Sequence, residues 1–213
     1  MDTVRDAYDE MAGEYAEFAR GLLENNPFER APLDMFAESV GAGPVADLGC
    51  GEGRISAYLA HAGLDVSGID LSPRMIAQAR AAHPGLRFEV GSLERTGLPS
   101  GTLAGLLAWY SLIHLPPERI PGALAEFARV LRPGGYALLG FQAAESAGDP
   151  VAFDHAVVRA YRWWPERLAD AARAAGFEVV LRMVRAPRPG ERFDQASLLL
   201  RKTEGELGIP RQN

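Results

Sequence analysis

The run Val45-Ala46-Asp47-Leu48-Gly49-Cys50-Gly51-Glu52-Gly53 carries the densest chemistry in the chain. Glycines at alternate positions let a backbone turn tightly and let a ligand approach where any Cβ would collide. The N–H groups of such a turn, leading into a helix near Ile55, suit an anionic carboxylate. Asp47 stands just ahead of the glycines, placed to orient the loop or to accept a hydrogen bond from a ligand ammonium group. Farther on, Asp70 precedes the helix-starting pair Ser72-Pro73. A carboxylate at the end of a strand there accepts both hydroxyls of a ribose. Each aspartate taken alone also reads as a turn or helix cap. Together, at this spacing behind a glycine loop, they point to a nucleoside with a charged end.

Such residues need a strand, a tight turn and a helix in succession. Short β-rich runs supply the strands, at Val45–Leu48, Asp65–Asp70, Arg87–Val90, Leu103–Trp109 and Tyr136–Gln142. Between them lie helices near Ile55–Ala62, Pro73–Ala82 and Ile120–Val130, the last closed by Pro133 and Gly134. The alternation predicts an α/β fold: a Rossmann-like doubly wound sheet, mostly parallel, in a three-layer sandwich. Ahead of it, Val4, Tyr8, Met11, Tyr15 and Phe18 recur at three- and four-residue steps and predict a helix, with a second opened by Pro32. Behind it, a loop over Ala143–Asp154 leads to a helix near Pro165–Ala175. Runs Phe177–Val184 and Gln195–Leu200, around Pro187, Pro189 and Gly190, predict a C-terminal antiparallel hairpin.

Composition narrows the function classes. The chain has 213 residues, 47% of them hydrophobic, and no apolar run long enough to span a bilayer, so no membrane role is expected. A formal charge of -6 and a pI near 5.3 repel a phosphate backbone, and no nucleic-acid partner is expected. The single cysteine, Cys50, excludes an internal disulfide. The acidic start lacks the charged-then-apolar pattern of a secretion signal, so the expected location is cytoplasmic. No His, Cys or carboxylate cluster has a metal-ligand spacing, and no metal is expected.

The stretches VADLGCGEGRIS, GLDVSGIDLSPRMIAQAR, LLAWYSLIHL and FARVLRPGGYALLGF resemble the class I S-adenosylmethionine-dependent methyltransferases over most of residues 43–142. The resemblance implies S-adenosyl-L-methionine as cofactor and transfer of its methyl group. By that resemblance the methionine moiety falls to Asp47, Gly49, Gly51 and Gly53, and the ribose to Asp70. Relatives often carry an aspartate at the adenine edge after the third strand, where this chain has Ser92, a weaker acceptor. Adenine is then expected to rely on the backbone of Ser92 and Leu93 and on packing against Leu71 and Met75. Similar N-terminal tyrosines close over the cofactor in relatives, which assigns Tyr15, and with it Tyr8, to a lid; both also fit as core anchors of their helix. The expected layout is one domain over residues 1–203, with a lid at 1–40, the cofactor-binding core at 43–142, and an acceptor-pocket segment with the terminal hairpin at 143–203. Residues 204–213 are expected to form a flexible tail.

Methyl transfer demands an in-line nucleophile and exclusion of water more than it demands a base. The segment Trp109-Tyr110-Ser111-Leu112-Ile113-His114 closes the fourth strand and should face the reacting centre. His114 is the candidate general base, its alternative role being a hydrogen bond to a backbone carbonyl. Trp109 and Tyr110 wall the cofactor or attract a sulfonium through their ring faces, or simply fill core. His155, Tyr161 and Arg162, with Trp163, follow the fifth strand, where the family builds its acceptor pocket, and suit an anionic or aromatic small molecule. Arg162 as a surface charge and Trp163 as helix packing are the plain alternatives. The Asn/Asp-Pro-Pro-Tyr/Phe signature of base-methylating enzymes is replaced by Trp109-Tyr110-Ser111-Leu112. A nicotinamide oxidoreductase would need glycine at position 54, which is Arg54. A cofactor-binding protein without catalysis fits the same loop, and oligomeric state is not legible.

Overall fold

Burial sets the order of the sheet. In the computed structural model, which describes residues 2–19, 21, 23, 26–155 and 157–204 (side chains of 2 and 15–19 excepted), β4 (Leu103–Trp109) is buried at every position. A strand with no polar face must be covered on both sides, and β4 lies in the middle of seven strands. Counting from one edge, the order is β3 (Arg87–Val90), β2 (Asp65–Asp70), β1 (Pro44–Leu48), β4, β5 (Leu131–Gln142), β9 (Gln195–Lys202) and β8 (Phe177–Arg185). Pairings from β3 to β5 are parallel, whereas β9 runs antiparallel to both β5 and β8. The chain adds β2 and β3 on one side of β1 and then returns to add β4 on the other. That reversal opens a crevice at the carboxyl ends of β1 and β4.

Helices cover both faces. On one side α5 (Ile120–Val130) buries Leu124 and Phe127 together with Leu168 and Ala172 of α6 (Pro165–Ala174). On the other, α2 (Pro27–Ser39) buries Leu33 and Phe36 beside Ile55 and Leu59 of α3 (Arg54–His61). Ile76 and Ala79 of α4 (Pro73–Ala82) pack on Phe88 of β3. The N-terminal helix α1 (Asp2–Ala19) lies against α4. No helix among the described residues is long and apolar enough to cross a membrane.

The α/β sandwich agrees with the sequence pattern; most boundaries fall within two residues of those expected, and three differ by more. Pro32 lies inside α2 rather than opening it, because Pro27 already occupies the first turn, where a missing N–H costs nothing. Strand β5 begins at Leu131 instead of Tyr136: Leu131 pairs with Leu103, and a register shift precedes the pairing of Gly105 with Tyr136. The expected loop 143–154 ends in a strand, β6 (Val151–Asp154), which pairs antiparallel with β7 (Arg159–Arg162) in a separate two-stranded sheet. Residues 205–213 of the expected tail lie outside the described residues.

Candidate active site

The turn after β1 is held by backbone hydrogen bonds. Gly49 and Cys50 donate their N–H groups to the Ile69 carbonyl at 2.7 and 3.1 Å, folding the turn over the end of β2. Gly49 has φ +79°, and a Cβ there would meet the Ser111 Cβ at 2.2 Å, so only glycine fits between the ends of β1 and β4. Ser111 donates its Oγ hydrogen to the Leu48 carbonyl at 2.6 Å and stitches the same two ends together. Gly51 donates to Asp70 Oδ2 at 2.9 Å, and the Ser72 N–H to Asp70 Oδ1 at 2.8 Å. Asp70 is therefore oriented before any ligand arrives, and burial raises its carboxyl above the usual range. Asp47 is buried and accepts the Ser56 hydroxyl at 2.6 Å, which ties it to the start of α3. Burial pushes its carboxyl up to about 7, against the pull of the Ser56 bond and the Arg54 charge.

A cleft of about 790 Å³, its open mouth included, runs along this turn. Its floor and walls include Asp47, Gly49, Gly51, Asp70, Leu71 and Leu93, and at its far end Trp109, Tyr110 and His114. Gly53 lies behind the turn, where a Cβ would strike the Phe88 ring at 2.7 Å. Met75 is fully buried, and its N–H caps onto Ser72 Oγ, so it stands behind the cleft wall. Ser92 turns its hydroxyl into its own loop, accepting from the Glu94 N–H at 3.2 Å.

The lid side comes from α1. Val4, Arg5 and Tyr8 line the cleft, and Asp9 Oδ1 accepts from Ser72 Oγ at 2.5 Å and from the Arg74 N–H at 3.1 Å. Asp9 thus latches α1 onto the first turn of α4, two residues from Asp70. The side chain of Tyr15 lies outside the described residues. The Tyr8 hydroxyl and His114 Nε2 are 2.8 Å apart, and His114 Nδ1 is 3.4 Å from the Arg159 carbonyl. A carbonyl can only accept, which assigns the proton to Nδ1 and leaves Nε2 to accept from Tyr8. Burial and the neighbouring His155 lower His114 to about 4, so the imidazole is neutral at neutral pH. Tyr110 adopts φ 54°, a left-handed conformation rare outside glycine, and its buried phenol is raised above its ordinary value. The indole of Trp109 meets the Tyr110 ring edge-on at 5.4 Å.

Beyond His114 the β6–β7 hairpin begins. His155 meets the His114 ring edge-on at 5.2 Å, and Tyr161 packs against the main core. Arg162 lies over the Phe193 ring with its guanidinium carbon 4.0 Å from the centroid. Trp163 is buried, and its Nε1 has no hydrogen-bond partner among the described residues. Tyr8 and His114 are far apart in sequence, and nothing in their spacing signals the bond between them. The same holds for Asp9 with Ser72 and for Ser111 with Leu48, neither of which the sequence reveals.

A family model described as a methyltransferase domain matches residues 45–135. The chain is 31% identical to the demethylmenaquinone methyltransferase of Beutenbergia cavernae over 171 residues, 68% of either chain. The chain belongs to the class I S-adenosylmethionine-dependent methyltransferases. This methyltransferase is also 35% identical, over 132 residues, to the malonyl-acyl carrier protein O-methyltransferase of Pectobacterium atrosepticum, covering 62% of its own length and only 50% of that relative. It spans about half the length of that curated relative. Among solved structures, the Burkholderia thailandensis 1,6-didemethyltoxoflavin-N1-methyltransferase shares the fold, with TM-score 0.76 and 23% identity over 95% of this chain and 88% of that one. The cofactor of this methyltransferase is S-adenosylmethionine. The donor set of its cleft fits that cofactor: an oriented Asp70 suits a ribose diol, Leu71 and Leu93 suit an adenine face, and Asp47 and Glu52 suit cationic groups.

Proposed function

We propose that this methyltransferase acts on a small-molecule acceptor, seated between the Tyr8–His114 pair and the β6–β7 hairpin. The 2.8 Å contact between Tyr8 and His114, in the same cleft as Asp70 and the glycine turn, carries the reading. Asp70 would hold the ribose, Gly49 and Gly51 would pass close under the methionine moiety, and Asp47 would fix the loop through Ser56. Leu71, Leu93 and the backbone at Ser92 would border the adenine, with Gly53 and Met75 supporting the walls from behind. When bound, the cofactor supplies an electrophilic methyl group for in-line displacement.

The chain's own residues then exclude water and manage one proton. Latched by Asp9, α1 covers the cleft, and Trp109 and Tyr110 close its inner end. A proton released by the acceptor passes to the Tyr8 oxygen as the Tyr8 proton moves to His114 Nε2, and the Arg159 carbonyl partners Nδ1–H. Burial that keeps His114 neutral also makes it a weak base. The site is therefore matched to acceptors that are acidic or already ionised, rather than to alcohols. His155, Tyr161 and Arg162 form the acceptor side. Names of relatives support a small acceptor: one acts on demethylmenaquinone, and a neighbour of the same fold was solved with 1,6-didemethyltoxoflavin bound. The charge of -6 supports it too, against a nucleic-acid substrate.

Calorimetry with S-adenosylmethionine and S-adenosylhomocysteine comes first, and then a panel of phenols, carboxylates and amines scored by S-adenosylhomocysteine release. Cofactor binding with turnover of one acceptor class supports the proposal. Binding with no turnover on any of them leaves a cofactor-binding protein and overturns it.

A further inference from the structure

The β6–β7 hairpin and the loop before β9 carry a row of side chains that the cofactor does not need. His155 stands edge-on to His114, Phe153 lies 6.1 Å from His155, and Phe193 lies 5.1 Å from Phe153. The Arg162 guanidinium carbon lies over the Phe193 ring, 4.0 Å from its centroid. The row therefore leads without interruption from the end of the cofactor cleft to a cation.

That cation is poorly matched by the protein itself. The Arg162 side chain is only 15% exposed, and its Nε and Nη1 are buried with no hydrogen-bond partner among the described residues. The acid facing it is Glu145, at 3.6 Å, beyond hydrogen-bond reach and on a side chain 84% exposed. Arg192 adds a second guanidinium 4.9 Å from the same Phe193 ring, and its Nη1 donates to the Asp154 carbonyl at 2.9 Å. Buried charges in folded proteins are ordinarily paired and hydrogen-bonded. A guanidinium that gives up its hydration for a ring face and a carboxylate 3.6 Å away, with no hydrogen bond at Nε or Nη1 among the described residues, is a site prepared for an oxyanion brought from outside, with the exposed carboxylate holding its place.

We infer that Arg162 anchors a carboxylate of the methyl acceptor, whose planar body lies along Phe193, Phe153 and His155 while its nucleophile reaches the Tyr8–His114 pair. This rests on the small-acceptor reading above and adds to it a substrate class, aromatic or conjugated acids. Glu145 is displaced when the acid enters. Phe193 holds the guanidinium plane and keeps its edge toward the incoming group.

The test uses the full chain saturated with S-adenosylhomocysteine, whose binding is measured first. Failure of that binding would count against the cofactor site, independently of the acceptor titrations. Benzoate, benzamide and phenyl phosphate are then titrated by calorimetry. Benzoate is expected to bind about tenfold or more tightly than benzamide, the worth of a charge-assisted hydrogen bond. In Arg162→Met that preference disappears, and Arg162→Lys restores part of it. Glu145→Gln, on an exposed side chain that does not bear on folding, tightens benzoate a few-fold by removing the placeholder. Equal affinity for benzoate and benzamide, including no binding of either, overturns the inference. So does a benzoate preference that survives in Arg162→Met or is unaltered by Glu145→Gln. Tighter binding of phenyl phosphate than of benzoate overturns the carboxylate assignment in favour of a phosphate-bearing acceptor.

Discussion

The two ends of the cleft are built differently. Around the glycine turn, position is fixed by hydrogen bonds in which backbone groups always take one side: Gly49 and Cys50 N–H on the Ile69 carbonyl, Gly51 and Ser72 N–H on the Asp70 carboxylate, and the Ser111 hydroxyl on the Leu48 carbonyl. Around the β6–β7 hairpin it is fixed by ring contacts and by a short backbone link, where the Trp163 N–H donates to the Gln142 carbonyl at 3.0 Å and the Ala144 N–H donates to the Trp163 carbonyl at 2.9 Å. These bonds leave little freedom at Gly49, Asp70 and Ser111, so the first end suits one invariant ligand. Ring contacts change with each substitution, so the second end can be refitted to a new acceptor without disturbing the first.

The sharpest way to break that contrast is one substitution made in the glycine turn and again in the β8–β9 loop that carries Phe193. Gly49→Ala places a Cβ into Ser111 in a left-handed backbone and is expected to cost on the order of 4 kcal/mol in denaturant unfolding, with loss of cofactor binding. Gly190→Ala has φ +91° but open space around it, and should cost only about 1 kcal/mol. Similar costs at the two positions would mean the turn is not the rigid end.

Protonation separates the ends next. Asp47, raised from 3.8 to about 7, binds its proton more tightly in the folded state, so its contribution is present at low pH and is lost as pH rises through about 7. His114, lowered from 6.5 to about 4, behaves oppositely: its contribution is present above 6.5 and is lost as pH falls toward 4. Between about 4 and 6.5 the two slopes oppose each other. The contributions of these two groups should therefore largely cancel there. His114→Asn should uncover stability that falls with rising pH, and Asp47→Asn stability that rises with it, each by up to roughly 3 kcal/mol across the window. Chemical denaturation at half-unit pH steps measures this, and parallel profiles for the two variants would refute it.

Smaller effects sharpen the picture. Asp70→Asn keeps the side-chain shape and should weaken S-adenosylhomocysteine binding about tenfold by calorimetry. Unchanged affinity would remove Asp70 from the ribose site. Asp9→Asn should loosen the latch on α4 by about 1 kcal/mol, read as faster amide exchange in α1 with α3 and β1 unaffected. No change in exchange would show that α1 is held by packing instead.

Legibility in the sequence obeys the same division. The strand, turn and helix at Val45–Ile55 and the aspartate at position 70 are readable because each depends on neighbours a few residues away. Phe153 and Phe193 are not, because nothing local says that two aromatic residues from different loops share a face. The hairpin itself is hidden: Val151–Asp154 is short and partly exposed, and comes after a stretch rich in Ser, Gly, Asp and Pro that reads as loop. His114 is legible as a candidate by its place after β4. Its depressed protonation is not, since that depends on burial in the folded chain and on the neighbouring His155. Pro32 misleads because proline favours a helix start, and an earlier proline has already taken that position.

Strand β9 has a consequence for how the molecule comes together. Ala196 to Leu200 are buried, and the strand fills the slot between β5 and β8, so it must enter after both of its neighbours have been synthesised. On a ribosome, the glycine turn and Asp70 emerge long before this strand. The nascent chain thus holds a nearly complete cofactor half beside a sheet whose edge, β5, is still open. Until β9 docks, that edge is an apolar template for other chains, and the early availability of a ligand that steadies the first half becomes a matter of safe synthesis as well as of catalysis.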